Sequence, residues 1–162
     1  MYKRQDYDNL SYYGRGPLEN YVDRWTSSFI GCYNDKVKNQ FYPYIRPQET
    51  GNKTDVRWLT LVNGEGTGIQ ITGVQPIAFS AIHSSIEDLD PGQTKKMLHS
   101  IDVFPRKEVY LNIDLKQRGL GGDNTWGQFP YKQYRMLDKQ YSYSYILDLV
   151  QNYCTVDFMT ER

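Results

Sequence analysis

At 162 residues the chain is sized for one domain, residues 1–162, with a hydrophobic core of its own. Lys plus Arg equals Asp plus Glu at 19 each, so no net field steers it toward nucleic acid or an acidic membrane. No apolar run reaches the length of a membrane-spanning helix, and the polar stretch after Met1 carries no signal-peptide pattern.

In chain order, the first fifty residues read as irregular. Tyr13-Gly14-Arg15-Gly16-Pro17 and Tyr42-Pro43-Tyr44-Ile45-Arg46-Pro47 are loop or edge material, because Gly and Pro punctuate them. Strand signals begin at Val56, Trp58 and Thr60, which alternate with Arg57, Leu59 and Leu61. Asn63-Gly64-Glu65-Gly66-Thr67-Gly68 reads as a hairpin turn. It lacks the GK[ST] ending that a phosphate loop requires. Ile69 and Ile71 follow it in one strand, and Ile77, Phe79 and Ala81 form another. Ser84 and Glu87 have capping-box spacing for a short helix that Pro91 helps to end. Val109, Leu111, Ile113 and Leu115 alternate with polar residues in a further strand. Lys132 to Leu137 and the Tyr141, Tyr143, Tyr145 alternation predict two more. Residues 151–158 read as a last strand or an extension of the chain's own. Strands at short spacing, with 15 tyrosines suited to pleated surfaces, predict an all-β, antiparallel β-sandwich.

Few residue sets suit catalysis. His83 and His99 lack metal-ligand spacing and any fixed carboxylate partner, and read as hydrogen-bonded strand or loop residues. Cys32 and Cys154 fit no nucleophile or metal pattern; they read as thiols, with a disulfide left open. Glu19 and Glu49 are the carboxylates nearest to a glycosidase pair. The plainer reading pairs Glu19 with Arg15 or Arg24, and Glu49 with Arg46 or Arg57. Trp25 and Trp58 read as packing residues. Gly119-Leu120-Gly121-Gly122-Asp123-Asn124-Thr125-Trp126-Gly127 carries more. A tryptophan face covers the C–H side of a pyranose, while Asp123 and Asn124 bond hydroxyls. From the residues alone an ordinary turn with Trp126 packed into the core is the plainer reading; Trp126, Asp123 and Asn124 are the candidate substrate-binding residues.

Three ordered segments add a resemblance. They are Tyr13 to Arg24, Tyr42 to Asn52 with Arg57-Trp58, and Leu111-Asn112-Ile113-Asp114 running to Gly119–Trp126. Together, over about Tyr12 to Leu147, they resemble the C-terminal domain of bacterial β-galactosidases of glycoside hydrolase family 2. The resemblance implies a partial galactose-mutarotase-like supersandwich. It places the catalytic glutamates, and the Mg and Na ions beside them, on a barrel absent from this sequence. No residue of this chain is then catalytic, and no cofactor is expected in it. Trp126 becomes a sugar platform at another domain's active-site mouth. The implied partners are a galactoside and the remaining domains of the same enzyme, with a homo-oligomer possible and no nucleic acid or membrane. The implied setting is the bacterial cytoplasm or periplasm. A stand-alone carbohydrate-binding module and an aldose-epimerase-like enzyme are the alternatives.

Overall fold

A computed structural model describes residues 7–93, 98–122, 124 and 126–154. The fold is all-β and antiparallel. Its strands are β1 (Asn9–Gly16), β2 (Phe29–Lys36), β3 (Lys53–Val62), β4 (Gly68–Ile82), β5 (Tyr110–Asp114) and β6 (Tyr145–Val150). They form one open sheet in the order β2-β1-β3-β4-β5, and β6 also pairs with β4. Such a sheet is consistent with one layer of a sandwich. Among the described residues, helix is confined to α1 (Ile86–Leu89) and short 3-10 turns.

The register explains the core. Leu10 lies opposite Leu61 and Tyr12 opposite Leu59, while Leu59 and Leu61 face Ile71 and Ile69 across β4. Opposed residues share a face, so the apolar members of three strands meet in one layer. Farther along, Phe79 opposes Ile113 and Ala81 opposes Leu111. Tyr12 is fully buried with its ring edge-on to Phe79 at 5.4 Å, and its hydroxyl donates to the Pro17 carbonyl. Burial pushes its phenol well above the usual tyrosine range.

Two irregularities shape the sheet. At the β3–β4 turn, Asn63 Oδ1 accepts from the amides of Glu65 and Thr67, both at 2.9 Å. This Asx-type turn fulfils the hairpin expectation. In β3 the register shifts on either side of Val56, and Asp55 takes φ 53°. Asp tolerates this left-handed region better than most residues. Arg15 Nε donates to its Oδ2 at 2.6 Å, and the Arg15 guanidinium stacks 4.5 Å above Trp25.

Several expectations need correction. Residues 1–50 are not irregular throughout, since β1 and β2 lie within them. In β1 the inward positions after Tyr12 are Gly14 and Gly16, which hide the apolar alternation. In β2 the strand is an edge with an almost wholly exposed burial pattern. The two strands expected within residues 69–81 are one continuous 15-residue strand. The helix cap is Ser85 with Asp88, one residue beyond the Ser84–Glu87 pair. Lys132–Tyr134 is a 3-10 turn, not a strand. The tyrosine alternation precedes β6, which starts only at Tyr145. Gln151 to Cys154 are not in a strand, and the rest of the proposed last strand lies outside the described residues.

Candidate functional site

The segment after β5 leaves the sheet and turns back on itself. Its base is held by backbone groups: the Gly119 amide donates to the Tyr134 carbonyl at 2.7 Å. The Gly121 amide donates to Asp23 Oδ2 at 2.8 Å, and Arg24 Nη2 donates to the Gly121 carbonyl at 2.9 Å. Glycine is required here. A Cβ on Gly119 would meet Asp23 Oδ2 at 2.6 Å, and Gly121 takes φ 71°.

At the tip, Asn124 Oδ1 accepts from the amides of Trp126 and Gln128, and its Nδ2 donates to Gln128 Oε1. The amide of Asn124 is thus spent on shaping the turn that presents Trp126. Trp126 itself is 91% exposed. Phe129 and Tyr131 are exposed beside it in sequence, and Arg135 lies 5.4 Å over the Phe129 ring while donating to the Pro130 carbonyl. Sequence reasoning singled out neither ring. A cavity of about 390 Å³ opens at the loop base between Arg24, Gly122, Tyr131 and Tyr134. Asp123 lies outside the described residues.

The carboxylates do not form the arginine pairs that the sequence suggested. Glu19 accepts from the Tyr44 hydroxyl, from Thr50 Oγ1 and from the Gly51 amide. Burial and this carboxylate push the Tyr44 phenol up to about 12. Glu49 accepts from Gln117 at 3.5 Å, and burial raises its carboxyl above the ordinary range. The arginines go elsewhere because nearer acceptors claim them. Arg15 takes Asp55, Arg57 the Asp55 carbonyl, Arg46 the Leu98 carbonyl and Arg24 the Gly121 carbonyl. Glu19 is therefore held by donors from the adjacent loop rather than by an arginine.

The histidines are bonded as expected. His83 Nδ1 contacts the Glu108 carbonyl at 3.0 Å and Nε2 lies 3.5 Å from Asp8; the His99 backbone amide donates to Asp102 Oδ2 at 2.9 Å. Cys32 and Cys154 are free and exposed. Among the described residues no three His, Cys, Asp or Glu side chains gather as a metal site requires.

The three segments singled out in the sequence are physically joined. The first meets the second through Glu19 and Asn20, and meets the third through Asp23 and Arg24. A family model described as the β-galactosidase small chain matches residues 1–147. This chain belongs to the β-galactosidase small-chain family. The small-chain match ends inside β6. A β-galactosidase of Priestia megaterium is 38% identical over 130 residues, covering 80% of this chain and 12% of that protein. One from Halalkalibacterium halodurans is 31% identical over 80% of this chain and 12% of its own length. One from Streptococcus thermophilus is 32% identical over 75% of this chain and 11% of its own length. The chain thus spans about one eighth of the first of these relatives.

Proposed function

We propose that the chain is the non-catalytic, mutarotase-like sandwich portion of a family 2 β-galactosidase, and that it supplies Trp126 as a sugar platform. The whole enzyme would hydrolyse terminal β-galactosides with a carboxylate pair carried outside this segment. The observation that carries this reading is the 91% exposure of Trp126 on a loop bracketed at its base and tip. The tip turn holds the indole outward, where its face is available to a ligand or partner surface. Its face would stack on the substrate ring. Asn124 would contribute by holding the indole outward, and Asp123 by offering a carboxylate to sugar hydroxyls. The hydrogen bonds that tie Glu19 to Tyr44, Thr50 and Gly51 support a structural role for it.

In the complete enzyme carrying this segment, Trp126→Ala is expected to raise KM for lactose-type substrates about five- to ten-fold. That corresponds to one stacking contact of about 1–1.4 kcal/mol. Steady-state kinetics on both forms check it, and an unchanged KM places Trp126 away from substrate. The isolated chain is expected to leave a chromogenic β-galactoside intact. Turnover by the pure chain overturns the non-catalytic assignment.

A further inference from the structure

Between β1 and β2 runs a polar loop, residues 17–28, whose role neither composition nor the sugar reading explains. Its inner end is fixed to the core. Asn20 is fully buried; its Nδ2 donates to the Arg15 and Leu18 carbonyls, and its Oδ1 accepts from the Thr54 amide and hydroxyl. Tyr21 beside it is also buried and closes a bridge with Arg24, whose amide donates to the Tyr21 carbonyl at 2.7 Å. The outer end then presents a carboxylate and a guanidinium side by side. Both address one residue, Gly121, 98 and 97 positions away. Asp23 accepts its amide and Arg24 donates to its carbonyl, so the peptide units of Gly121 are gripped on both sides by charged groups. Charge-assisted bonds of this kind are stronger than neutral ones.

We propose that Asp23 and Arg24 are positioning residues, a clamp that transmits the rigidity of β3 through Asn20 and Tyr21 to the loop bearing Trp126. The inference rests on the reading of Trp126 as a sugar platform only in its kinetic arm. The glycines are the other half of the device. A Cβ at Gly119 would strike the Asp23 carboxylate, and one at Gly122 would come within 3.2 Å of Arg24 Nη2. The first and third sequence segments therefore form one mechanical unit. Asp23 Oδ1 is buried without a hydrogen-bond partner among the described residues, so the bond of its other oxygen to the Gly121 amide is the one that holds this carboxylate.

The test uses the complete enzyme and four variants: Asp23→Ala, Asp23→Asn, Arg24→Ala and Gly119→Ala. Amide hydrogen exchange over residues 119–128 is expected to quicken about ten-fold or more in Asp23→Ala, Arg24→Ala and Gly119→Ala. Exchange in β1, β3 and β4 should stay as in the parent. Asp23→Asn keeps an acceptor for the Gly121 amide and should restore most of the protection. In kinetics, Asp23→Ala should raise KM with little change in kcat, and should add nothing further to Trp126→Ala. Unchanged exchange over 119–128, or equal acceleration across the sheet, overturns the clamp. So does an additive KM effect in the double variant. A loosened loop with no KM change in Trp126→Ala supports the clamp and removes the sugar platform, so the two readings fail separately.

Discussion

Lys53 is the residue whose chemistry is most displaced by the fold. It lies opposite Phe79 with 2% of its surface exposed, and its Nζ donates to the Gly51 carbonyl at 3.3 Å. Burial lowers the ammonium to about 8, with Glu19 and Asp35 offsetting part of that effect. In the unfolded chain a lysine titrates near 10.4. Below pH 8 the folded protein carries the full cost of a buried charge. Between pH 8 and 10 the unfolded state binds more protons, so stability rises with pH. Tyr44 acts oppositely. Its phenol is raised to about 12, so its contribution is intact below pH 10 and lost as pH climbs toward 12. Lys53→Met is expected to stabilise this chain at pH 7 by on the order of 2 kcal/mol and to abolish the rise between pH 8 and 10. Denaturant midpoints of both forms at pH 7, 8.5 and 10 check it. A lower midpoint for the variant at pH 7 would show that Glu19 and Asp35 more than compensate the burial.

At the scale of elements, stability of the β1–β2 loop depends on Asn20, whose Nδ2 donates to the Arg15 and Leu18 carbonyls while its Oδ1 accepts from the amide and hydroxyl of Thr54 in β3. Asn20→Asp keeps the shape but sets a carboxylate oxygen against the Arg15 and Leu18 carbonyls. It is expected to cost about 2–4 kcal/mol, visible as a lower midpoint that partly recovers at acid pH when the carboxyl is protonated. A loss no larger than that of a surface substitution would put the anchor elsewhere. The same loop shows what the sequence could and could not carry. β5 and the β3–β4 hairpin were legible because their signals are local: Leu111 and Ile113 alternate with polar residues, and Asn63 closes its own turn. β2 was hidden because an edge strand has no buried face to pattern it. Tyr141 and Tyr143 mimic a strand, yet their hydroxyls serve the Asp138 amide and the Ile113 carbonyl instead. Trp126 was singled out by its glycine-rich neighbourhood, and it is exposed. Asp23 and Arg24 were not, because their partner is distant in sequence and is a backbone group that any residue type offers.

Taken whole, the molecule covers one face of its sheet unevenly. Leu149 and Leu147 lie opposite Ile69 and Ile71, on the same face as the core residues Leu59 and Leu61. Yet Leu149 is 83% exposed and Leu147 55%. Next to them, Tyr7, Leu61, Ile69, Val109 and Leu111 line an open hollow of about 320 Å³. Apolar side chains that extend a core layer into solvent mark a surface made to be covered. β6 also pairs only with β4 among the described strands, which leaves its outer edge open. Under the proposed function the cover is another part of the same enzyme. Without it, the isolated chain should pair through this face. Leu149→Glu then has opposite consequences in the two settings. In the isolated chain it should shift sedimentation from dimer or larger species toward monomer, at little cost in stability. In the complete enzyme it should destabilise by about 1.5–3 kcal/mol, the value of burying one leucine, with a charge forced into the contact besides. An ordinary exposed leucine would give less than about 0.5 kcal/mol in both. Equal and negligible effects in both settings would mean that this face stays open to solvent in the whole enzyme.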